Sequence, residues 1–191
     1  MISFLNSIDT DFFLYLNSLH SPFFDKIMLT LSYDKFLFLG ILIALSVYGI
    51  LTYKKWYFVA FLFCIVSFGL SDRISSGFFK PTFERLRPCH NPTLASKVHL
   101  AGENCWGGKF GFLSSHASNS FALATFFWLL FRRKKIFTGL FIYAGLVSYS
   151  RIYLAKHYPG DILAGALLGI SCGIIGYFLF HRLRQRFVDQ Q

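Results

Sequence analysis

Three short segments of this chain carry residue types that together could handle a phosphate group. Lys80 opens the first, which closes on Arg87-Pro88. The second is Leu113-Ser114-Ser115-His116, and the third runs from Ser150-Arg151 through His157 to Asp161. Phosphoryl transfer spreads negative charge over equatorial oxygens, so its catalysis is mostly positioning and electrostatics. Arginine can grip two oxygens at once and lysine supplies a point charge, roles open to Lys80, Arg87 and Arg151. Any one of them could instead be an interfacial cation with its stem in lipid, but that reading does not cover three beside two histidines. His157 and Asp161 are four apart and share a face on a helix. A carboxylate on one imidazole nitrogen fixes the tautomer and leaves the other free to attack or to take a proton. Taken alone, the pair could equally be a structural His–Asp contact at a helix N-terminus. Ser114 and Ser115 precede an apolar run, where either can cap a helix whose first N–H groups attract anions. His116 follows, in position to protonate a departing oxygen, or simply to sit at an interface behind a cap.

These segments lie at the ends of apolar runs, so the elements that position them belong to a membrane. Of 191 residues, 54% are hydrophobic, and the mean hydropathy is +0.50. The 25 Phe, 10 Tyr and 3 Trp suit a lipid-facing protein with interfacial aromatics. A spanning helix needs about 20 apolar residues. Five stretches qualify or come close: 36–53, 56–78, 117–131, 136–152 and 160–181, the third and fourth being short. The expected fold is therefore an all-α integral membrane bundle, one domain over 1–191.

Residues 3–33 differ. Phe4, Leu5, Ile8, Phe12, Leu16 and Leu19 recur at helical spacing, with Asn6, Ser7, Asp9, Thr10, Asn17 and Ser18 on the other side. Such a moment predicts helices over 1–34 lying in the interface, broken at Ser21-Pro22, rather than a sixth span that would bury Asp9, Asp11 and His20. Gly165, Gly169 and Gly173 recur every fourth residue in the last run, which allows close helix packing within the bundle, or between copies.

The net charge is +10. Lys54-Lys55, Arg132 through Lys135, and Arg182, Arg184 and Arg186 all fall on one side of a five-span layout. The positive-inside rule makes that side cytoplasmic and places the three segments outside. No nucleic-acid signature accompanies the charge, and no basic leader with a cleavage site is expected. Cys64 and Cys172 fall inside spans and read as packing residues. Cys89 and Cys105 share the outer loop, where an oxidising compartment permits a disulfide; two free thiols are the other reading. Among the acids, Asp161 alone lies in the three segments. Asp72, Glu84 and Glu103 are the others expected near them outside the N-terminal stretch, which is too sparse for a two-metal cage. No metal and no cofactor are expected.

The segments resemble the type 2 phosphatidic acid phosphatase (PAP2) superfamily. Lys80-PTFERL-Arg87-Pro88 matches its first motif, and Ser150-Arg151-IYLAK-His157-YPG-Asp161 its third. The middle motif, usually Pro-Ser-Gly-His, reads Leu-Ser-Ser-His here, and Ser115 would be costly if that position needs positive φ. The resemblance covers residues 80–161. It implies that His157 attacks phosphorus to form a phosphohistidine, that Asp161 orients it, and that His116 protonates the leaving oxygen. Lys80, Arg87, Ser114, Arg151 and the backbone at Ser115 would bind phosphate, with Ser150 and Pro88 in support. The implied substrate is a lipid phosphate or diphosphate at the outer face of a bacterial inner membrane. Undecaprenyl diphosphate is favoured; phosphatidylglycerophosphate, phosphatidic acid and lipid A phosphates are alternatives. A phosphotransferase could use the same residues, whereas the soluble haloperoxidase branch fits poorly.

Overall fold

The computed structural model describes residues 2–102, 104, 105 and 107–188; Glu103 lies outside them. Its regular elements are α1 (Ile2–Ser18), α2 (Pro22–Tyr33), α3 (Lys35–Tyr53), α4 (Lys55–Ile74), a π-helical turn (Ser75–Phe79), α5 (Lys80–Phe83), a 3-10 turn (Pro88–His90), α6 (Ser115–Phe131), α7 (Lys134–Tyr153) and α8 (Pro159–Val188). The fold is all-helical as expected, and each of the five expected spans is a helix. Three continuous helical segments, Lys35–Tyr53, Lys55–Phe83 and Pro159–Val188, are long and apolar enough to cross a bilayer by themselves. α6 and α7 fall short for different reasons. α6, the hub of the bundle packed against α4, α7 and α8, is short at 17 residues. α7 carries Lys134 and Lys135 at one end and Arg151 at the other.

Local chemistry sets the breaks. Ser21 caps α2, its hydroxyl accepting from the Phe24 N–H, with Pro22 opening the helix, a position where a missing N–H costs nothing. Asp34 caps α3, accepting from the N–H groups of Phe36 and Leu37. Ser114 caps α6 through the Ala117 N–H.

α1 presents Phe4, Leu5, Ile8 and Phe12 outward, with Leu19 exposed just beyond its end, as expected of a lipid-facing stripe, whereas Leu16 of that expected stripe packs inward against the cluster around Phe13. Its other face is not left to water. Phe13 is buried against Tyr158. Asn17 donates to the carbonyl of Tyr153 at 2.7 Å and accepts the His99 N–H at 2.7 Å. The polar residues of α1 thus clamp it to the loop and helix end that carry the third motif.

The glycine stripe of α8 faces inward. A Cβ at Gly169 or Gly173 would collide with the α6 backbone, at the carbonyls of Ser118 and Ala122 respectively. In lipid no hydrophobic force drives helices together, so this close approach supplies the packing. It also sets the register between the two helices that carry His116 and Asp161. Cys89 and Cys105 form a disulfide with Cα atoms 5.7 Å apart. Closing a loop of this size stabilises the fold by about 3 kcal/mol in the chain-entropy view. The Cys89 N–H also donates to the Ala155 carbonyl at 3.0 Å, so the bridge holds the first motif's end against the third.

Candidate active site

The first motif begins with a change of helical pitch. The π turn bonds the Lys80 N–H to the Ser75 carbonyl, which places Ser75 and Lys80 on one face. Both reach Ser115: the Ser75 hydroxyl lies 2.8 Å from Ser115 Oγ, and Lys80 Nζ donates to it at 2.8 Å. π turns of this kind recur at functional sites. Ser115 is an ordinary first residue of α6 and does not adopt positive φ. Replacing the family's usual glycine there is thus free of backbone strain and adds a hydroxyl next to Lys80.

After α5 the chain turns at Glu84 (φ 46°) and becomes extended. Leu86 pairs with Phe110, the Arg87 N–H donates to the Lys109 carbonyl at 3.0 Å, and the Gly111 N–H donates to the Arg85 carbonyl at 2.8 Å. Residues two apart in extended chain point the same way, so Arg85 and Arg87 both turn toward the third motif. Arg87 Nε donates to the Phe110 carbonyl at 3.3 Å. A Cβ on Gly111 would stand 3.2 Å from Arg87 Cγ, 3.2 Å from Asp161 Oδ2 and 3.5 Å from His157 Nδ1, so glycine lets this extended segment lie on the cluster without small shifts of its side chains.

The third motif folds back on itself. The Arg151 carbonyl accepts the N–H groups of Lys156 at 2.9 Å and His157 at 3.2 Å, returning His157 to the neighbourhood of Arg151. The Arg151 guanidinium bonds to the Ser32 hydroxyl and lies over the Tyr33 ring. His157 Nδ1 is 3.5 Å from Asp161 Oδ2, and both side chains are almost wholly buried. That is an ion-pair distance beyond the usual hydrogen-bond length, and Nδ1 meets no hydrogen-bond partner among the described residues; the same carboxylate oxygen accepts the Tyr158 N–H at 3.0 Å. The Ser114 N–H donates to the Asp161 carbonyl at 3.1 Å, joining the second motif to the third. Ser150 turns away, its hydroxyl bonding the Val147 carbonyl at 2.6 Å within α7. Pro88 is buried at the start of the 3-10 turn.

His116 feels the charges of Arg151, His157, Lys80 and Arg87, so tertiary folding brings the three motifs into one electrostatic unit. Burial, with Arg151 and Arg87 nearby, pushes the His157 imidazole well below its usual value; the Asp161 carboxylate opposes this only in part. His157 is thus neutral at neutral pH. It offers Nε2 to an electrophile while Nδ1 faces the carboxylate.

Arg85 lies within the first motif with no role expected of it, and Asp9 was expected only as a cost in lipid. The structure joins them to the site. Arg85 donates to Asp161 Oδ1 at 2.8 Å and to Asp9 Oδ2 at 2.7 Å, and its guanidinium lies 4.0 Å from the Tyr158 ring centroid. Asp9 Oδ1 accepts the Gly160 N–H at 2.7 Å. Burial alone would lower the Arg85 pKa, but the Asp161 and Asp9 carboxylates outweigh it and raise it. The Arg-x-Arg alternation was the available sequence signal for Arg85; no local pattern pointed to Asp9. Because Arg85 neutralises a buried carboxylate, Arg85→Gln is expected to lower kcat about 10–100-fold, the range for a residue that orients a reacting group through its partner. Loss of the positive charge should also raise the His157 pKa, moving the acid limb of the pH–rate profile upward. Arg85→Lys should restore part of the rate. A loss of protein yield with an unchanged kcat and acid limb would assign Arg85 to folding alone.

The remaining cluster with metal-ligand side chains among the described residues is Cys89, His90 and Cys105. Its two sulfurs are bonded to each other, which removes them as thiolate ligands.

Beside His116 opens a cleft of about 270 Å³. Ser115, His116, Asn119 and Asp72 line its inner end, and Asn119 donates to Asp72 at 3.0 Å. Phe38 and Phe68 connect it to a second space of about 180 Å³ that is lined only by apolar side chains and Cys64. The route runs from polar at the histidine to apolar along α3 and α4.

A family model described as the PAP2 superfamily matches residues 57–185. Over 195 residues the chain is 37% identical to the lipid A 4′-phosphatase of Bacteroides thetaiotaomicron, covering 97% of this chain and 83% of that one. It is 29% identical over 171 residues to the undecaprenyl-diphosphatase BcrC of Bacillus subtilis, covering 89% and 81%. Among solved structures, Aquifex aeolicus LpxE superposes with a TM-score of 0.63 at 26% identity, covering 87% of this chain and 93% of that one.

Proposed function

Because the chain belongs to the PAP2 superfamily and is a multi-pass membrane lipid phosphatase of that type, we propose that it hydrolyses a phosphate monoester on a glycolipid, the 4′-phosphate of lipid A. The reaction uses a phosphohistidine intermediate. His157 Nε2 attacks phosphorus, Asp161 holds the imidazole, and His116 gives a proton to the sugar oxygen that leaves. Water, activated by His116 in its second role, then cleaves the phosphorus–nitrogen bond and releases phosphate. Lys80, Arg87 and Arg151 balance the charge on the equatorial oxygens, joined by the Ser115 hydroxyl and the first N–H groups of α6. With three cations filling this role, no metal ion is required.

The observation that carries the substrate choice is the cleft next to His116. The leaving group must occupy it, and Asp72 and Asp34 are among its polar side chains, with Lys35 as its cation. Sugar hydroxyls can donate to those carboxylates. A polyprenyl diphosphate would leave as a phosphate monoester anion, which they would repel. The 37% identical relative supports the same choice, so the lipid A phosphate displaces undecaprenyl diphosphate as the favoured substrate. The placement of the basic clusters at the opposite helix ends supports a site of action at the outer leaflet of the inner membrane.

The test is phosphate release by the purified protein, with EDTA present, from lipid A, undecaprenyl diphosphate, phosphatidylglycerophosphate and phosphatidic acid. Lipid A is expected to show the highest kcat/KM, with loss confined to its 4′-phosphate. A preference for undecaprenyl diphosphate would return the assignment to the function named for BcrC, and loss of activity in EDTA would refute the metal-free mechanism.

A further inference from the structure

At the bundle end remote from His157, the last turns of three helices enclose a second polar space. Tyr53 ends α3, Arg132 follows α6, and Tyr177, Phe180, His181 and Arg184 lie on α8; together they line a cavity of about 400 Å³. The length of α6 separates it from Ser115 by about 25 Å. Its charge is one-sided. Two arginines and a histidine line it, with no carboxylate among the lining residues, and neither arginine pairs with an acid among the described residues.

The arginines are held by aromatic groups instead. Arg184 lies over the Tyr53 ring, 5.6 Å from its centroid. Arg132 donates to the Tyr177 hydroxyl at 3.5 Å, and Tyr177 stacks on His181. The Arg184 Nε is buried and meets no acceptor among the described residues. An arginine N–H buried without an acceptor is costly, whereas a phosphate oxygen would satisfy it and pair with the planar fork. Buried Phe180 provides an apolar wall beside these donors, and lipid-facing helix surface continues from the mouth. Basic pockets between transmembrane helices at the membrane surface suit anionic lipid headgroups.

We propose that this cavity binds the phosphate group of an anionic phospholipid, in the leaflet opposite the one that presents substrate. Arg132 and Arg184 grip the phosphate, and the tyrosine and histidine rings hold the arginines apart and oriented. The site is independent of the hydrolytic reaction and does not rest on the choice of its substrate.

The experiment is native mass spectrometry of the purified full chain with phosphatidylglycerol, phosphatidylethanolamine or inorganic phosphate added separately. The wild type is expected to retain phosphatidylglycerol about tenfold better than phosphatidylethanolamine. The double variant Arg132→Gln/Arg184→Gln should lose that preference. Lys134→Gln/Lys135→Gln, which removes the same charge just outside the cavity, should keep it. Unchanged phosphate release by the double variant would show that it is folded. Equal retention of the two lipids by the wild type, or equal losses in the two double variants, would overturn the site. Retention of inorganic phosphate without a preference for phosphatidylglycerol would overturn the lipid as its source.

Discussion

His157→Ala is expected to abolish phosphate release, with kcat falling by about 10⁴-fold or more, as when a member of a coupled nucleophile–base unit is removed. His157 is buried, neutral and backed by Asp161 at 3.5 Å, and Nε2 is its one ring nitrogen not turned to that carboxylate. Two other potential nucleophiles nearby are engaged elsewhere: Lys80 is committed to Ser115, and Ser114 caps a helix from a fully buried position. The direct check is wild type quenched in alkaline detergent after brief exposure to ³²P-labelled substrate. It should carry an acid-labile, base-stable label that His157→Ala lacks. Because burial holds the imidazole below its usual value, the wild-type rate should persist as pH falls through about 6.5 and decline only as His157 protonates. A fully labelled His157→Ala protein would move the nucleophile elsewhere.

His116→Ala should lose about 10²–10⁴-fold on the lipid substrate, the usual share of general acid catalysis. The loss should depend on the leaving group. A sugar alkoxide needs a proton as it departs, and His116 lines the cleft that would hold the sugar. An aryl phosphate leaves as a stable phenolate, so its cleavage step should be much less impaired. Measuring burst and steady-state phases on p-nitrophenyl phosphate separates the two jobs. The burst should survive, while the later turnover slows if His116 also activates water. Equal losses on lipid and aryl ester in the first step would show that His116 binds phosphate instead of donating a proton.

Much of this was legible because its signals are local. Helix existence follows from apolar runs, and the breaks at Ser21-Pro22, Asp34 and Ser114 from side chains that satisfy the first N–H groups. The motif spacings were readable for the same reason: Ser150 to Asp161 lies in one turn and helix start, so chain geometry dictates how its members sit. The departure at Ser115 could be noticed but not valued. Its lack of strain depends on its place at the start of α6, and its bonds to Ser75 and Lys80 on a π turn that begins forty residues earlier in the chain.

The amino-acid sequence by itself determined the all-helical membrane fold and the family, and it put forward His157, His116 and Asp161 as the proposed reacting groups, since these rest on composition and on fixed short spacings. Tertiary structure alone decided what surrounds them. It brought Asp9 of α1 across to Arg85, placed Arg85 on the free oxygen of Asp161, and turned the glycine stripe of α8 onto α6. It also put Asp72 and Asn119 beside His116 at the inner end of the cleft, the arrangement on which the proposed hydroxyl-bearing headgroup rests. The physical reason is the same in each case. A local pattern limits which way a side chain can point, but a buried charge takes its partner from whichever distant segment the helix packing delivers within about 3 Å.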